Sequence, residues 1–343
     1  MIVIVGFRTR ELANACLLNG RVDDVSHYIR EGVDVNQTDI YGRAPIHFAC
    51  ESLNAAVLAI LLENGADPNL LTETGFRALG IACSVDAEIP LRYIDNVPIV
   101  RAKGNQEIVV GMLLAHGARP NAFDSNGMAP LHRACNSQNA AIVALLLEHG
   151  ANVNLPAKKG VLPLHIASSK GEEIVHILLE HGADANAFDG DGMASLHHAC
   201  DSQNAAIVAG LLEHGADVNL PTKKGVLPLH LASKGRVEIV QMLLKHGADV
   251  NVLDADGMAP IHIACKFKRW GSATVATMLA SGADVNLPSK DGVCPLHIAL
   301  EAGLEKSVIQ ICCSNMVPTS MQYGEQTVSL LFILLVVFPV ETS

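Results

Sequence analysis

The stretch Gly-Met-Ala-Pro-Leu-His-Arg-Ala-Cys (127–135) is followed by Lys-Lys-Gly-Val-Leu-Pro-Leu-His-Ile-Ala (158–167), and both return. The first comes back as Gly-Met-Ala-Ser-Leu-His-His-Ala-Cys (192–200) and as Gly-Met-Ala-Pro-Ile-His-Ile-Ala-Cys (257–265). The second comes back as Lys-Lys-Gly-Val-Leu-Pro-Leu-His-Leu-Ala (223–232). Each series repeats at 65 residues, and the two interleave at steps of 32 or 33. A fixed period in this range is the signature of stacked repeats. Residues 124–188 and 189–253 match without a gap at 46 of 65 positions, which reads as duplication of a two-unit block. A stack of like units offers a long surface to partners and seldom a catalytic pocket.

One unit, residues 157–188, shows the internal grammar. Gly160 and Pro163 mark a turn, and Leu164, Ile166 and Ala167 begin a short helix that Gly171 breaks. Ile174, Val175, Leu178 and Leu179 recur at helical spacing and predict a second helix with one apolar face. Gly182 stands where a helix end needs positive φ. A pair of helices this short cannot bury its apolar face alone, so the units must stack.

These residues resemble the ankyrin repeat. Its Thr-Pro-Leu-His-x-Ala signature is matched by Ala-Pro-Ile-His-Phe-Ala (44–49), Ala-Pro-Leu-His-Arg-Ala (129–134) and Leu-Pro-Leu-His-Ile-Ala (162–167). It continues in Ala-Ser-Leu-His-His-Ala (194–199), Leu-Pro-Leu-His-Leu-Ala (227–232), Ala-Pro-Ile-His-Ile-Ala (259–264) and Cys-Pro-Leu-His-Ile-Ala (294–299). The resemblance covers roughly residues 10–315 and implies an all-α solenoid of helix-turn-helix units joined by β-turn or hairpin loops. The family's leading Thr is absent, so the helix starts are expected to lack a hydroxyl cap. The unit at 75–83 is degenerate, with Ala78 for the Pro and Gly80 for the His. The expected division is an N-terminal segment and capping repeat (1–38), an array (39–315) and a tail (316–343). Within the array, the degenerate unit with its insertion spans about 72–123 and the degenerate last unit about 289–315.

Composition narrows the class. Half the residues are apolar but only 4 % are aromatic, so the core must be Leu, Ile, Val and Ala. The net charge of −11, with no Lys/Arg run longer than two before Lys266, argues against nucleic acid. Cys50, Cys83, Cys135, Cys200 and Cys265 hold one register, which reads as buried thiols and favours a reducing, cytoplasmic setting, with the nucleus as the alternative. The start, Met-Ile-Val-Ile-Val-Gly-Phe, does not read as a secretory signal. The seven signature histidines fall one per layer without zinc-ligand spacing. The resemblance assigns them to backbone hydrogen bonds. Asp189-Gly190-Asp191-Gly192 and Asp254-Ala255-Asp256-Gly257 begin like calcium loops, but Cys200 and Cys265 stand where the bidentate Glu is required. No phosphate loop, nucleophile elbow or zinc-protease motif is present, so neither enzyme activity, cofactor nor metal is expected.

Surface features are less generic. The turns alternate in charge: Asp124, then Lys158 and Lys159, then Asp189 and Asp191, then Lys223 and Lys224, then Asp254 and Asp256, then Lys290 and Asp291. The plain reading is a self-neutralising edge of weak exposed pairs, and the sharper one a striped surface for a partner of matching period. Two insertions break the period. One, between Cys83 and Gly117, contains Arg92 and Tyr93; the other carries Lys266, Phe267, Lys268, Arg269 and Trp270, including the chain's one tryptophan. Irregular loops on a rigid scaffold are where function tends to sit, and Trp, Tyr and Arg dominate interface energy. These seven residues are therefore the partner-binding candidates, against the plainer readings of drift in a degenerate repeat and of aromatic packing over a helix end. As in many ankyrin proteins, an asparaginyl hydroxylase is expected to act on a unit-closing Asn, and Asn219 fits that pattern best.

The tail changes character. Its apolar run at 328–340 is shorter than the roughly 20 residues a bilayer span needs. It reads as a short membrane anchor, as an apolar cap over the last unit, or as the product of a wrongly ended gene. The leading function is thus a non-enzymatic, monomeric scaffold or adaptor that binds protein. The alternatives are the substrate-recognition subunit of a ubiquitin ligase and the cytosolic part of a membrane protein or channel.

Overall fold

The computed structural model describes residues 11–17, 22–84 and 105–303, the segments 93–94 and 97–98, and position 309. At 93–94, 97–98 and 268–270 it describes the backbone alone. Two helices form the N-terminal unit, α1 (residues 11–17) and α2 (Val22–Arg30). The units that follow are α3 (Pro45–Ser52) with α4 (Ala55–Glu63), and α5 (Ala78–Cys83) with α6 (Gln106–Ala115). The duplicated blocks supply α7 (Pro130–Ser137) with α8 (Ala140–Glu148), α9 (Pro163–Ala167) with α10 (Glu172–Glu180), α11 (Ser195–Asp201) with α12 (Ala205–Glu213), and α13 (Pro228–Ala232) with α14 (Val237–Lys245). Then come α15 (Pro260–Lys266) with α16 (Lys268–Ala280), and α17 (Pro295–Ala302). First helices pack on first helices, from α3 through to α17, and second helices on second helices, from α2 through to α16. The result is a two-layer helical stack, with buried Leu, Ile, Val and Ala running through its middle as one continuous core.

The expected loop chemistry holds, with one refinement. The connections are tight turns: Asp124 N donates to Met128 O at 3.0 Å and Gly127 N to Asp124 O at 2.8 Å. Strand pairing among the described residues is confined to β1 (Tyr93–Ile94) against β2 (Val97–Pro98), antiparallel, with Tyr93 opposite Pro98. Gly182 has φ +82°, as a helix end of this kind requires. Gly190 answers to a close approach, because a Cβ there would lie 2.5 Å from Lys159 O.

The missing Thr cap is replaced from the other direction. Six signature histidines sit at the third helical position, buried or nearly so, and each Nδ1 accepts from the backbone N–H that precedes the helix. For His47 that donor is Ala44 N at 2.9 Å, and for His165 it is Leu162 N at 3.0 Å. Each Nε2–H then donates to a carbonyl of the next unit: His47 to Leu70 O at 3.1 Å, His165 to Ala187 O at 2.9 Å, His230 to Met258 O at 3.0 Å. Accepting at one nitrogen and donating at the other fixes the neutral Nε2–H tautomer. The histidines are therefore inter-unit staples, as the resemblance implied. At the degenerate unit, where Gly80 replaces the imidazole, Arg77 Nη1 bridges onward to Phe123 O at 2.9 Å.

Cys50, Cys83, Cys135, Cys200 and Cys265 are buried and unbridged, as their common register predicted. Burial pushes the Cys16 thiol up to about 12 and the thiols of Cys50, Cys83, Cys135 and Cys200 further still, so all five are held as inert neutral thiols at neutral pH.

One unit is built less well than its sister. Ser195 occupies the first helical position, where α7, α9, α13 and α15 have proline. Its Oγ is buried without a hydrogen-bond partner. Gly210 stands mid-helix where the sister block has Leu145, and a Cβ added there meets nothing within 4 Å. Pro is pre-organised for the first position, where the N–H has no intrahelical acceptor. Ser195→Pro is expected to add ~1–2 kcal/mol by removing an unpaired buried hydroxyl and stiffening the unfolded chain. Gly210→Ala should add about 1 kcal/mol. In the native protein, hydrogen exchange should show α11 and α12 opening before α9 and α10. The idea fails if neither substitution raises the urea midpoint.

Candidate protein-binding surface

The turns form one edge of the stack, and their aspartates shape it. Asp124 Oδ1 accepts from Asn126 N at 2.8 Å and Met128 N at 3.0 Å, closing the turn. Asp189 and Asp254 repeat this with Asp191 and Met193, and with Asp256 and Met258. The resemblance of these loops to calcium sites thus ends in turn chemistry. Two of these aspartates also anchor the edge to the first-helix layer. The Asp124 carboxylate pairs with the Arg133 guanidinium, whose Nε donates at 2.6 Å, and both side chains are over nine-tenths buried. In the duplicate block Asp189 meets His198 Nε2 at 2.9 Å. Hydrogen bonds from Met193 N and His198 draw the Asp189 carboxyl below its ordinary value, against the desolvation that acts first to raise it.

The alternating charges are engaged differently from the expectation of acid–base neighbours. Lys158 Nζ donates to Ser125 O at 2.8 Å, and Lys223 Nζ to Gly190 O at 2.7 Å. The lysines clip one turn to the backbone of the turn before it. The aspartates are already committed to their own turns.

What the sequence reading overlooked is an apolar line along this edge. Leu71, Phe123, Phe188 and Leu253 are exposed by 49, 43, 47 and 42 %, far more than core side chains of their type. Each lies nine positions before the signature position of its unit (71 and 80, 123 and 132, 188 and 197, 253 and 262). The intervening units carry Pro156, Pro221 and Pro288 at that register, all exposed. From Phe123 onward, bulky and Pro positions therefore alternate with a two-unit rhythm, in step with the Asp and Lys turns. At the N-terminal end Ile40 and Tyr41 add exposures of 80 and 56 %, with the Arg43 guanidinium 5.0 Å from the Tyr41 ring centre. The signal was available as a register: one offset from the signature position collects Leu71, Phe123, Phe188 and Leu253.

The proposed insertion residues are distributed otherwise. Lys266 ends α15 and is exposed, and Phe267 is exposed by 40 % in extended backbone. An irregular loop was expected over 266–270. Instead α16 starts at Lys268 and runs for 13 residues, against nine in α10, α12 and α14. The extra residues are wound into the helix start, carrying Lys268, Arg269 and Trp270 with them. Gly271 N donates to Phe267 O at 2.7 Å, so this glycine is held inside the helix and does not break it. The reason is local: 268–270 contains no Gly, Pro or cap-forming residue, and one mid-helix glycine costs only about 1 kcal/mol. Tyr93 lies in β1, and Arg92 is outside the described residues. The first insertion falls between α5 and α6 in the chain, and the second lengthens the start of α16. Four complete units, α7 to α14, lie between them in the chain.

Asn219 belongs to a second ladder. Its Nδ2 donates to Gly247 O at 2.9 Å, its Oδ1 accepts from Asp249 N at 2.8 Å, and its own N–H is held by Asp217 at 2.8 Å. Asn154, Asn186 and Asn251 make the same two inter-unit bonds. Among the described residues no helix is long and apolar enough to cross a membrane, and the run at 328–340 lies outside them.

Comparison with known proteins agrees with this architecture. A family model described as "Ankyrin repeats" matches residues 12–91, 99–189 and 188–254, and a single "Ankyrin repeat" matches 256–290. The chain is 32 % identical over 116 residues to ankyrin repeat protein FPV244 of Fowlpox virus (strain NVSL), covering 31 % of this chain and 17 % of that one. It is 31 % identical over 134 residues to the transient receptor potential channel pyrexia of Drosophila melanogaster, covering 35 and 14 %. It is 37 % identical over 73 residues to ankyrin repeat domain-containing protein 37 of Xenopus tropicalis, covering 21 and 45 %. The matched stretches span less than half the length of each of these relatives.

Proposed function

We propose that this chain, which belongs to the ankyrin-repeat family, is a non-enzymatic scaffold or adaptor that holds a protein partner along its turn edge. The observation that carries the reading is the exposed line of Leu71, Phe123, Phe188 and Leu253. Apolar side chains set in one register on a rigid stack form the extended patch that marks an interaction site. The inert buried thiols suit a reducing, cytoplasmic setting. In cross-linking mass spectrometry from cells, Phe123→Ala with Phe188→Ala should remove partner cross-links while circular dichroism and thermal midpoint stay put. Undiminished cross-links to the turn edge would sink the reading.

The cluster Lys266–Trp270 is proposed as a second contact, for an acidic or aromatic segment. Trp270→Ala is expected to weaken partner binding by roughly 2 kcal/mol or more with the fold intact. A lowered melting temperature with unchanged affinity would make Trp270 a packing residue. Arg92 and Tyr93 stay candidates of the same kind, tested by the same pair of measurements.

Asn219 is proposed as a hydroxylation site. Because both its amide atoms bridge to the next unit, the enzyme must act on an opened or nascent unit, such as the opening expected of the α11–α12 unit it closes. Peptide mass spectrometry after co-expression with an asparaginyl hydroxylase should show one added oxygen there; an unmodified peptide removes the proposal.

The partial likeness to a transient receptor potential channel favours one alternative: that these repeats form the cytosolic part of a membrane protein. Fractionation of cells expressing the full chain separates the two readings, since an adaptor stays in the high-speed supernatant and a membrane protein requires detergent.

A further inference from the structure

Two exposed histidines meet on the second-helix layer, between consecutive units. His176 on α10 and His214 at the end of α12 have ring centres 6.0 Å apart and ring planes at 80°. His214 Nδ1–H donates to Gly210 O at 2.8 Å, because a carbonyl can only accept. That bond fixes the tautomer and leaves Nε2 with its lone pair unused. A second ring N–H held by a backbone carbonyl is the usual orientation of a metal-bound histidine. His176 Nε2 lies 3.1 Å from Glu180 Oε1, with both side chains more than half exposed. Two imidazoles on one tetrahedral ion, at metal–nitrogen distances of about 2.0–2.1 Å, have ring centres roughly 5–6 Å apart.

The juxtaposition is peculiar to this layer. The histidine ending the second helix recurs as His116, His149, His181, His214 and His246, and each donates from Nδ1 to a carbonyl four residues back. The position facing it from the unit before is Ala59, Gly111, Ala144, His176 and Ala209 in turn. The stack thus carries, among the described residues, four layers with one imidazole here and one layer with two. Among the described residues no group of three or more His, Cys, Asp or Glu is gathered for a metal. A site here is accordingly a two-imidazole bridge, with water completing the shell.

We propose that His176 and His214 bridge a divalent transition ion that favours imidazole, such as Zn²⁺. The bridge joins α10 to α12, the helix that carries Gly210 in the unit with the unpaired Ser195 hydroxyl. It therefore staples the least well-built unit to its neighbour. Both imidazoles must be neutral to bind, so protons compete with the metal.

The test uses the full chain, stripped with EDTA and titrated with ZnCl₂ at pH 7.5, calorimetry giving stoichiometry and affinity. The variants follow from the repeat itself. His176→Ala installs the residue found at 144 and 209. His214→Asn installs the residue that ends α4, where Asn64 Nδ2 makes the same bond to Ile60 O at 2.8 Å. The expected result is one Zn²⁺ per chain, no response to Mg²⁺, and slower hydrogen exchange in α10 and α12. Each variant should bind about tenfold more weakly or worse. Absence of binding overturns the proposal. So does binding that survives in both variants, which would place the ion on other surface histidines, or binding that leaves exchange in α10 and α12 unchanged.

Discussion

Lowering the pH from 7.5 to 5.5 is expected to destabilise the repeat array. The cause is the ladder of signature histidines. In His47, His132, His165, His197, His230 and His262, burial lowers the imidazole below its ordinary value near 6.5, outweighing the backbone hydrogen bonds that act the other way. Asp39, Asp124, Asp189 and Asp254 also oppose the shift, and His198 reinforces it at His165 and His197. Protonation destroys the arrangement directly, because Nδ1 must accept from the N–H before its helix and a protonated nitrogen cannot accept. The folded state therefore binds fewer protons than the unfolded chain between the lowered folded values and about 6.5. Stability is full above that window and lost as pH falls through it. Each proton contributes at most ~1.4 kcal/mol per pH unit, so six give a limiting slope of ~8 kcal/mol per unit, comparable to the whole stability of a typical domain. The Asp189 carboxyl, drawn below its ordinary value, loses its contribution only at lower pH, so the two effects separate. Urea melts across pH 5–8, with proton uptake measured calorimetrically in two buffers, check the slope. His230→Gln should lower the uptake by about one proton. A midpoint that is flat between pH 7.5 and 5.5 would refute the account.

The legibility of this fold differed sharply between levels. The stack was readable because each constraint is local and repeated. Gly182 at positive φ, proline at the helix start and histidine three residues on are dictated by one unit's backbone and recur with the period. The role of the histidines came from the resemblance; what the structure adds is that Nδ1 supplies the missing cap while Nε2 ties the layers. The surface was less legible because exposure is not a local property. Phe123, Phe188 and Leu253 sit among Asp and Asn in sequence and carry no moment of their own, so they surface only when registers are aligned. The alternating turn charges invited pairing because they are neighbours in the stack. Yet Lys158 and Lys223 reach carbonyls, since the aspartates had already been claimed by their own turns. Trp270 looked like a loop residue because it falls in an insertion that breaks the period; the extra residues instead lengthen a helix, since nothing in 268–270 stops one. Ser195 was readable as a lost proline, but not as an orphaned hydroxyl.

Arg133→Ala is expected to destabilise the protein by 3–5 kcal/mol, the range for removing one partner of a buried ion pair. Arg133 is the chain's most deeply paired cation among the described residues, with its guanidinium on Asp124 and 5.0 Å from the Phe76 ring centre. Its removal leaves the Asp124 carboxylate buried and unneutralised in a turn whose geometry depends on Oδ1. The duplicate block provides the internal comparison, because residue for residue Arg133 becomes His198 and Asp124 becomes Asp189. His198 is more exposed, at 24 % against 8 % for Arg133, so its pair is better screened and leaves less behind when broken. His198→Ala should therefore cost well under half as much. A double-mutant cycle of Arg133→Ala with Asp124→Asn isolates the pair, since asparagine keeps the turn acceptor and removes the charge. The cycle should recover a large part of the single-mutant loss, because most of that loss is the stranded carboxylate and not the missing arginine contacts. If Arg133→Ala and His198→Ala destabilise equally, or if Asp124→Asn recovers nothing, burial of this pair is not what fixes the turn edge to the helices. The rigidity of the proposed binding edge would then have to come from the histidine and asparagine ladders alone.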